Sequence, residues 1–395
     1  MPPTIGYDDA PLGRFHYRVA IASTGGVFSD GFGLGIIGTA LASAAPQLTV
    51  TSTWLGLLGG ASLAGLFIGA LVTGPLADQF GRRRIYAYNM ALLALLSAAQ
   101  FLADSNAVLL ALRLAIGFVL GTDYVVSKAL LSEFTPRRYR GVVMSSLSVA
   151  WAGGFACAYA VGVALSGSGA DAWRFMLLAS AAPCLVILPL RLTMPESPLW
   201  LVDHDRAAQA ALVVRSKLGA AVRVPERGLR DARGTARWRQ LFSPAWRRRT
   251  LVGCSFFTCQ VIPYFAVGTF VSQVLAALHS SGGHAGGLIY NAALLLGAII
   301  GLALSDSVPR RTFLIGSFSA AAAAMLLLIL LHDLPPLAMF LLFGLFAVPL
   351  SAASNLVYVY LPELFPTDLR ASGIALAIAA SRIGSAIGTF LLPVL

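Results

Sequence analysis

The sequence predicts an all-α membrane protein built as two pseudo-symmetric six-helix bundles. Composition, an internal repeat and the placement of arginines predict it. Of 395 residues, 57% are hydrophobic and 11% charged, and the mean hydropathy is +0.79. A soluble domain carries about 25% charged residues. Glu133-Phe134-Thr135-Pro136-Arg137-Arg138-Tyr139-Arg140 reads E-x-x-P-x-x-x-R, and 230 residues later Glu363 to Arg370 reads the same. A glycine follows each copy (Gly141, Gly373), and each copy closes one apolar run and opens the next. The segment from Gly74 to Arg84 is echoed, less closely, by Asp306 to Arg311.

Crossing about 30 Å of hydrocarbon takes about 20 helical residues. Runs of that kind fall at 19–47, 54–77, 84–103, 107–132, 141–166 and 172–193, and then at 250–276, 285–304, 312–331, 336–361 and 367–393. The N-terminus lacks the basic stretch, short apolar core and cleavage site of a signal peptide, so the first run is a true span. The connectors after the odd-numbered spans hold no Lys or Arg, and those after the even-numbered spans hold the basic clusters. That asymmetry places the N-terminus and the basic connectors in the cytoplasm. It also accounts for the net charge of +11 without nucleic-acid binding.

The domains expected are a six-helix bundle over 1–193, a basic cytoplasmic linker over 194–249 with helical character at 205–218, and a C-terminal bundle over 250–395. The linker is too short to bury much core. Six spans precede it and five follow, so a twelfth helix is expected beyond Leu395. Cys157, Cys184, Cys254 and Cys259 all lie in apolar runs and read as small buried hydrophobes, not as a disulfide or metal set. With no nucleotide loop, no metal-ligand spacing and no nucleophile motif, an enzyme, a cofactor and a metal are not expected.

Four motifs resemble those of the major facilitator superfamily, in the branch of sugar porters and metabolite–proton symporters. They are G-x-L-A-D-x-x-G-R-R-R at 74–84, R-x-x-x-G-x-x-x-G at 113–121, P-E-S-P-x-W-L at 195–201 and P-E-L-F-P-T-D-L-R at 362–370. The run from Gly121 to Glu133 also resembles the helix-4 signature of phosphate–proton symporters. The resemblance implies the major facilitator fold and transport of a small solute by alternating access. Three positions depart from it. Leu199 stands where sugar porters usually carry arginine, and Pro309 stands at a glycine position. The helix-1 context that usually reads G-Y-D here reads Gly31-Phe32-Gly33, with Asp30 one turn earlier.

Charges inside spans are costly and are functional candidates by default. Asp30 lies about 16 Å into the first span at 1.5 Å per residue, near the midplane. A desolvated carboxylate there can exchange a proton or bind solute, or it can be a structural acid with a fixed partner. The resemblance implies that Arg113 pairs with a helix-1 acid and is released when the acid is protonated; the alternative is snorkelling to the headgroups. It also implies a proton or solute role for Asp123. Lys128 is expected to snorkel. Arg382, deep in the last span, would meet an anionic solute or a structural partner.

Gln260 and Tyr264 flank Pro263, which is expected to break the helix, and Gln260 carries over from hydroxyl-binding glutamines of sugar porters. Trp151, Asn291 and Asn355 are further cavity candidates. Asp78, Gly81, Arg82, Arg83, Glu133, Arg140, Glu196, Glu363 and Arg370 cluster at the basic ends. By resemblance they form a gate that links the two halves. The function expected is a monomeric proton-coupled symporter of a small polar metabolite, sugar-like or anionic, in a bacterial inner membrane, with solute, protons and the lipid bilayer as its partners. A uniporter and a non-transporting sensor are the alternatives.

Overall fold

The computed structural model describes residues 5–225, 239–277, 283–305, 307–331, 335–365 and 367–395. The side chains of Asp78 and Arg370, both gate candidates, lie outside the described residues, as do Asp306 and Pro366 of the repeats.

Among the described residues eleven helices are long and apolar enough to cross a membrane. They are α1 (Arg14–Leu48), α2 (Ser52–Ala77), α3 (Arg82–Leu102), α4 (Asn106–Phe134), α5 (Arg137–Leu165), α6 (Ala172–Leu192), α7 (Arg247–Thr269), α8 (His284–Leu304), α9 (Arg310–Leu330), α10 (Pro336–Asn355) and α11 (Ser372–Leu391). Local chemistry sets several of their ends. The Thr51 hydroxyl accepts from Trp54 N–H at 3.3 Å and opens α2, and the Ser105 hydroxyl accepts from Val108 N–H at 3.3 Å and opens α4. Each satisfies a donor that the first turn leaves free.

Three expectations are corrected here. Helix α7 runs unbroken through Pro263 and ends at Phe270, where Val271–Ala277 sets off as a separate short helix. A membrane helix tolerates an interior proline where neighbouring groups satisfy the freed carbonyl. The tenth span is not one rod: it passes through a 3₁₀ turn at Ala353–Asn355 into Leu356–Leu364. Cys157 and Cys259 are exposed, where burial was expected. They share the periphery with Leu71, Leu95, Val186 and Ile329. In water such a surface would be a liability; around a membrane span it faces lipid.

The helices pair in a pattern that repeats. In the first half α1 packs on α5 and α2 on α4; in the second, α7 packs on α11 and α8 on α10. The contacts joining the halves repeat as well, α2 with α11 and α5 with α8. Lipid gives helices no hydrophobic reason to associate, so close approach over small residues supplies the contact. Gly117 and Gly121 of α4 lie against the backbone of Ser62, Leu66 and Ala70 in α2. At the arginine-poor end the halves touch directly. There Gly38 of α1 lies on Thr269, Gly56 and Gly60 of α2 lie on Phe390 and Ala386, and the hydroxyls of Tyr159 and Ser272 are 3.0 Å apart.

At the basic end the linker contributes Pro198–Asp203 and Ala207–Lys217, the latter within the stretch read as helical. The N-terminal segment ties in beside it. Ile5 bridges Val222, the Tyr7 hydroxyl donates to Glu133 O at 3.0 Å, and Asp8 pairs with Arg140 at 2.8 Å. Burial, and then the nearby Glu133, push the Tyr7 phenol up from its ordinary range.

The close packing of α2 on α4 makes Gly121→Leu disruptive, because its side chain meets the backbone of Leu66 and Ala70. Gly141→Leu should be silent, since nothing lies within 4 Å of a first side-chain carbon there. Thermal unfolding in detergent compares the two. Equal melting temperatures would show that this helix contact does not limit stability.

Candidate functional site

The most deeply buried charges form a pair that the sequence reading missed. Arg191, in the last turn of α6, is wholly buried. Its Nη1 donates to Asp123 Oδ1, and its Nη2 donates to Asp123 Oδ2 and to the Ser127 hydroxyl, both at 3.0 Å. Its Nε donates to Ala22 O in α1 at 3.2 Å, and its guanidinium carbon stands 4.1 Å over the Tyr86 ring of α3. Asp123 also accepts from Asn89 Nδ2 at 3.3 Å and from Ser127 Oγ at 2.8 Å. The guanidinium occupies the space that a side chain on Gly26 would need. Four donors thus hold one carboxylate, and four helices meet on one pair. A bidentate guanidinium–carboxylate contact is among the stronger charge-assisted arrangements.

Asp30 adjoins this pair and differs from it. It is buried, its Oδ1 has no hydrogen-bond partner among the described residues, and Asp123, Arg191 and Lys128 all lie near enough to act on it. Ser29 and Cys184 lie beside it. Lys128 does not snorkel as expected: its ammonium stands 3.0 Å above the Tyr124 ring. Beyond Tyr124 lies Arg382, whose guanidinium carbon is 5.1 Å from the same ring.

That arginine faces a cavity of about 70 Å³ between the halves. A water needs roughly 10–15 Å³ by this measure, so the space takes a few waters or part of a small solute. The first half contributes Tyr124 of α4 with Ser148 and Trp151 of α5. The second contributes Phe257, Gln260, Val261, Tyr264 and Phe265 of α7, Ser354 and Val357 around the end of α10, and Arg382. Trp151 stacks on Phe155 at 5.2 Å and meets Tyr264 and Phe265 edge-on at 5.3 and 5.5 Å.

Four of the nominated residues line this cavity: Trp151, Gln260, Tyr264 and Arg382. Asn291 and Asn355 do not. The Asn291 amide donates to Gly287 O of its own helix at 2.8 Å, and the Asn355 amide donates to Ala298 O of α8 at 3.1 Å. The pair expected between Arg113 and a helix-1 acid is not formed. Arg113 is buried, its Nη1 donates to Gly33 O at 3.0 Å, and its Nε and Nη2 have no partner among the described residues. Gly33 is the very position where the G-Y-D context would place the acid.

Two ion pairs at the basic end each join helices within one half. Arg82 pairs with Glu133 at 2.5 Å, and Arg310 pairs with Glu363 at 3.5 Å. These pairs occupy matching places in the two repeats. Gly81 turns at φ +90°, a conformation that glycine adopts without strain. Glu196 then caps α3, accepting from Arg82 N–H and Arg83 N–H at 3.1 Å. Arg140 donates to Thr135 O and to Asp8.

A helical membrane protein of two repeated halves, with a cavity where they meet, is a secondary transporter in architecture. The profile of the family described as "Sugar (and other) transporter" matches residues 19–395, and the chain belongs to that family. Its fold is that of the major facilitator superfamily, and it is a transporter, not an enzyme. It is 39% identical over 98% of its length to the inner membrane metabolite transport protein YgcS of Escherichia coli K12, covering 86% of that protein. It is 34% identical, over its whole length, to the putative metabolite transport protein YaaU of the same organism, covering 88% of it. The fold matches the partially occluded inward-open conformation of the xylose transporter XylE from E. coli with TM-score 0.78, at 20% identity over 96% of this chain and 91% of that one.

The Asp123–Arg191 pair should be costly to break singly. Arg191→Leu leaves a buried carboxylate unpaired, and about 3–5 kcal/mol of stability should be lost. Asp123→Leu combined with Arg191→Leu should recover much of it, and equal melting of the single and double variants would show that the two charges are not coupled. Arg113 generates the opposite prediction. Apart from its own stretch of helix, no atom of the described residues lies within 4 Å of a first side-chain carbon on Gly33, so Gly33→Asp should give Arg113 its carboxylate and raise the melting temperature. A lowered melting temperature would show that Arg113 is already satisfied.

Proposed function

We propose that the chain is a proton-coupled symporter of a small polar solute, working by alternating access in a bacterial inner membrane with its basic end in the cytoplasm. The two moving units are 1–193 and 250–395, joined by the linker 194–249. One observation carries the reading: the cavity between the halves is linked to a buried carboxylate through a short series of side chains, with Arg382 and Lys128 both against the Tyr124 ring and Asp30 within electrostatic reach of Lys128. Solute at Arg382 and a proton at Asp30 thereby act on the same two side chains. Asp123 is the poorer proton carrier because four donors already fill its oxygens. The groups facing Asp30 are Asp123, Lys128, Arg191, Ser29 and Cys184.

The ion pairs Arg82–Glu133 and Arg310–Glu363, with Glu196 on the start of α3, brace the basic end of each half as a rigid unit. Movement then takes the form of one half rocking on the other. A uniporter is the second reading, and Arg113 favours it: the arginine is present where coupling is expected by resemblance, but its acid is not.

Asp30→Asn separates the two readings. In proteoliposomes it should abolish solute accumulation driven by a pH gradient and preserve counterflow, because exchange moves no net proton. Accumulation that survives the substitution removes Asp30 as the carrier. If the unmodified chain never concentrates solute on a pH gradient, uniport is the activity.

A further inference from the structure

We propose that the cavity takes a small organic monoanion with a flat, unsaturated body, its carboxylate on Arg382 and its body against the rings of Trp151, Tyr264 and Phe265. The proposal rests on the transport reading above and narrows the solute.

The charge comes first. Arg382 is only 5% exposed, its Nε has no hydrogen-bond partner, and no carboxylate pairs with it among the described residues. Its guanidinium carbon stands 5.1, 5.6 and 5.6 Å from the ring centroids of Tyr124, Phe257 and Phe265. Ring faces attract a cation, but they recover only part of what it loses on leaving water. Lys128 adds a second cation on the Tyr124 ring. Of the buried acids of the first half, Asp123 is held by Arg191 and Asp30 acts on Lys128. An anion arriving in the cavity therefore meets at Arg382 a positive charge that no carboxylate among the described residues offsets, in a medium that screens it little.

The walls then set the body of the solute. The rings of Trp151, Tyr264 and Phe265 lie within 5.3 to 5.8 Å of one another and present aromatic surface to the cavity. A sugar needs donors and acceptors around its whole ring, and the polar groups here are largely spent. Gln260 Nε2 already donates to Leu350 O at 3.3 Å. The hydroxyls of Ser148 and Ser354 are 3.2 Å apart, and Ser354 also donates to Ser351 O at 2.6 Å. One strong charge and aromatic walls suit an aromatic or vinylic monocarboxylate.

The test uses the purified full chain in lipid nanodiscs and calorimetric titration with benzoate, cinnamate, their neutral amides and D-xylose. The carboxylates should bind at least tenfold more tightly than their amides. Arg382→Gln should erase that preference, and Arg382→Lys should keep part of it. Should Arg382→Gln fail to fold, the comparison of acid with amide on the unmodified chain still decides. The proposal is overturned if D-xylose or the amides bind as well as the acids, or if neither acid binds. Counterflow in proteoliposomes keeps the two levels apart. Xylose counterflow without carboxylate binding leaves transport intact and rejects the anion. Carboxylate binding without counterflow supports the anion site and rejects transport.

Discussion

The bidentate pair of Asp123 and Arg191 organises the first half of the molecule. Two charges have been taken out of water, and each is stable there only because the other is present and its remaining hydrogen-bonding positions are filled. Filling them draws in α1 through Ala22 O and α3 through Tyr86 and Asn89, so α1, α3, α4 and α6 are fixed by one network. Gly26 is required because the guanidinium lies where its side chain would be. With Asp123 held in this way, Asp30 and Arg382 become distinguishable from it: each keeps a buried polar atom without a partner. Such atoms in a well-packed interior point to a ligand or a proton.

The second organising fact is that the repeat is physical as well as textual. The E-x-x-P-x-x-x-R segments place Glu133 and Glu363 opposite Arg82 and Arg310, which open the third helix of each half. The helix pairs α1–α5 and α2–α4 recur as α7–α11 and α8–α10. Contacts between the halves at the arginine-poor end run over glycines, alanine and hydroxyls, which pack closely without strong directional bonds. Each half is thus braced internally by ion pairs and joined to its neighbour by softer contacts, the distribution that a rocking movement requires.

Much of this was legible in the sequence, because hydropathy and arginine placement report directly on the membrane. All eleven spans, the helical stretch in the linker, the Gly81 turn and the cavity positions of Trp151, Gln260, Tyr264 and Arg382 could be read from spacing or resemblance. Arg191 was not legible. It sits in the last turn of its span, where a long side chain ordinarily reaches the headgroups, and nothing along α6 says that it turns inward to α4. Lys128 misled for the same reason. Asn291 and Asn355 looked like cavity residues because polarity in a span is rare, yet a single amide is just as readily used on a backbone carbonyl, of its own helix for Asn291 and of α8 for Asn355. Pro263 misled because a proline removes one hydrogen bond, and the loss of one bond does not by itself end a helix inside a packed bundle.

The position of the helix-1 acid links these points. Moving a carboxylate from the position of Gly33 to that of Asp30 shifts it one turn, about 4.5 Å along the axis at 1.5 Å per residue, toward the basic end. The carboxylate leaves Arg113, which falls back on the carbonyl of Gly33, and comes instead beside Lys128 and the Asp123–Arg191 pair. Lys128 reaches the solute cavity through Tyr124, whereas Arg113 does not line that cavity. The displacement therefore changes which cation the acid answers to. In the symport proposed above, a proton on Asp30 would weaken its hold on Lys128, leaving Lys128 to Tyr124, which stands beside the arginine of the cavity. Coupling by this route needs no acid at Gly33, and a buried Arg113 without a carboxylate is what that relocation leaves behind.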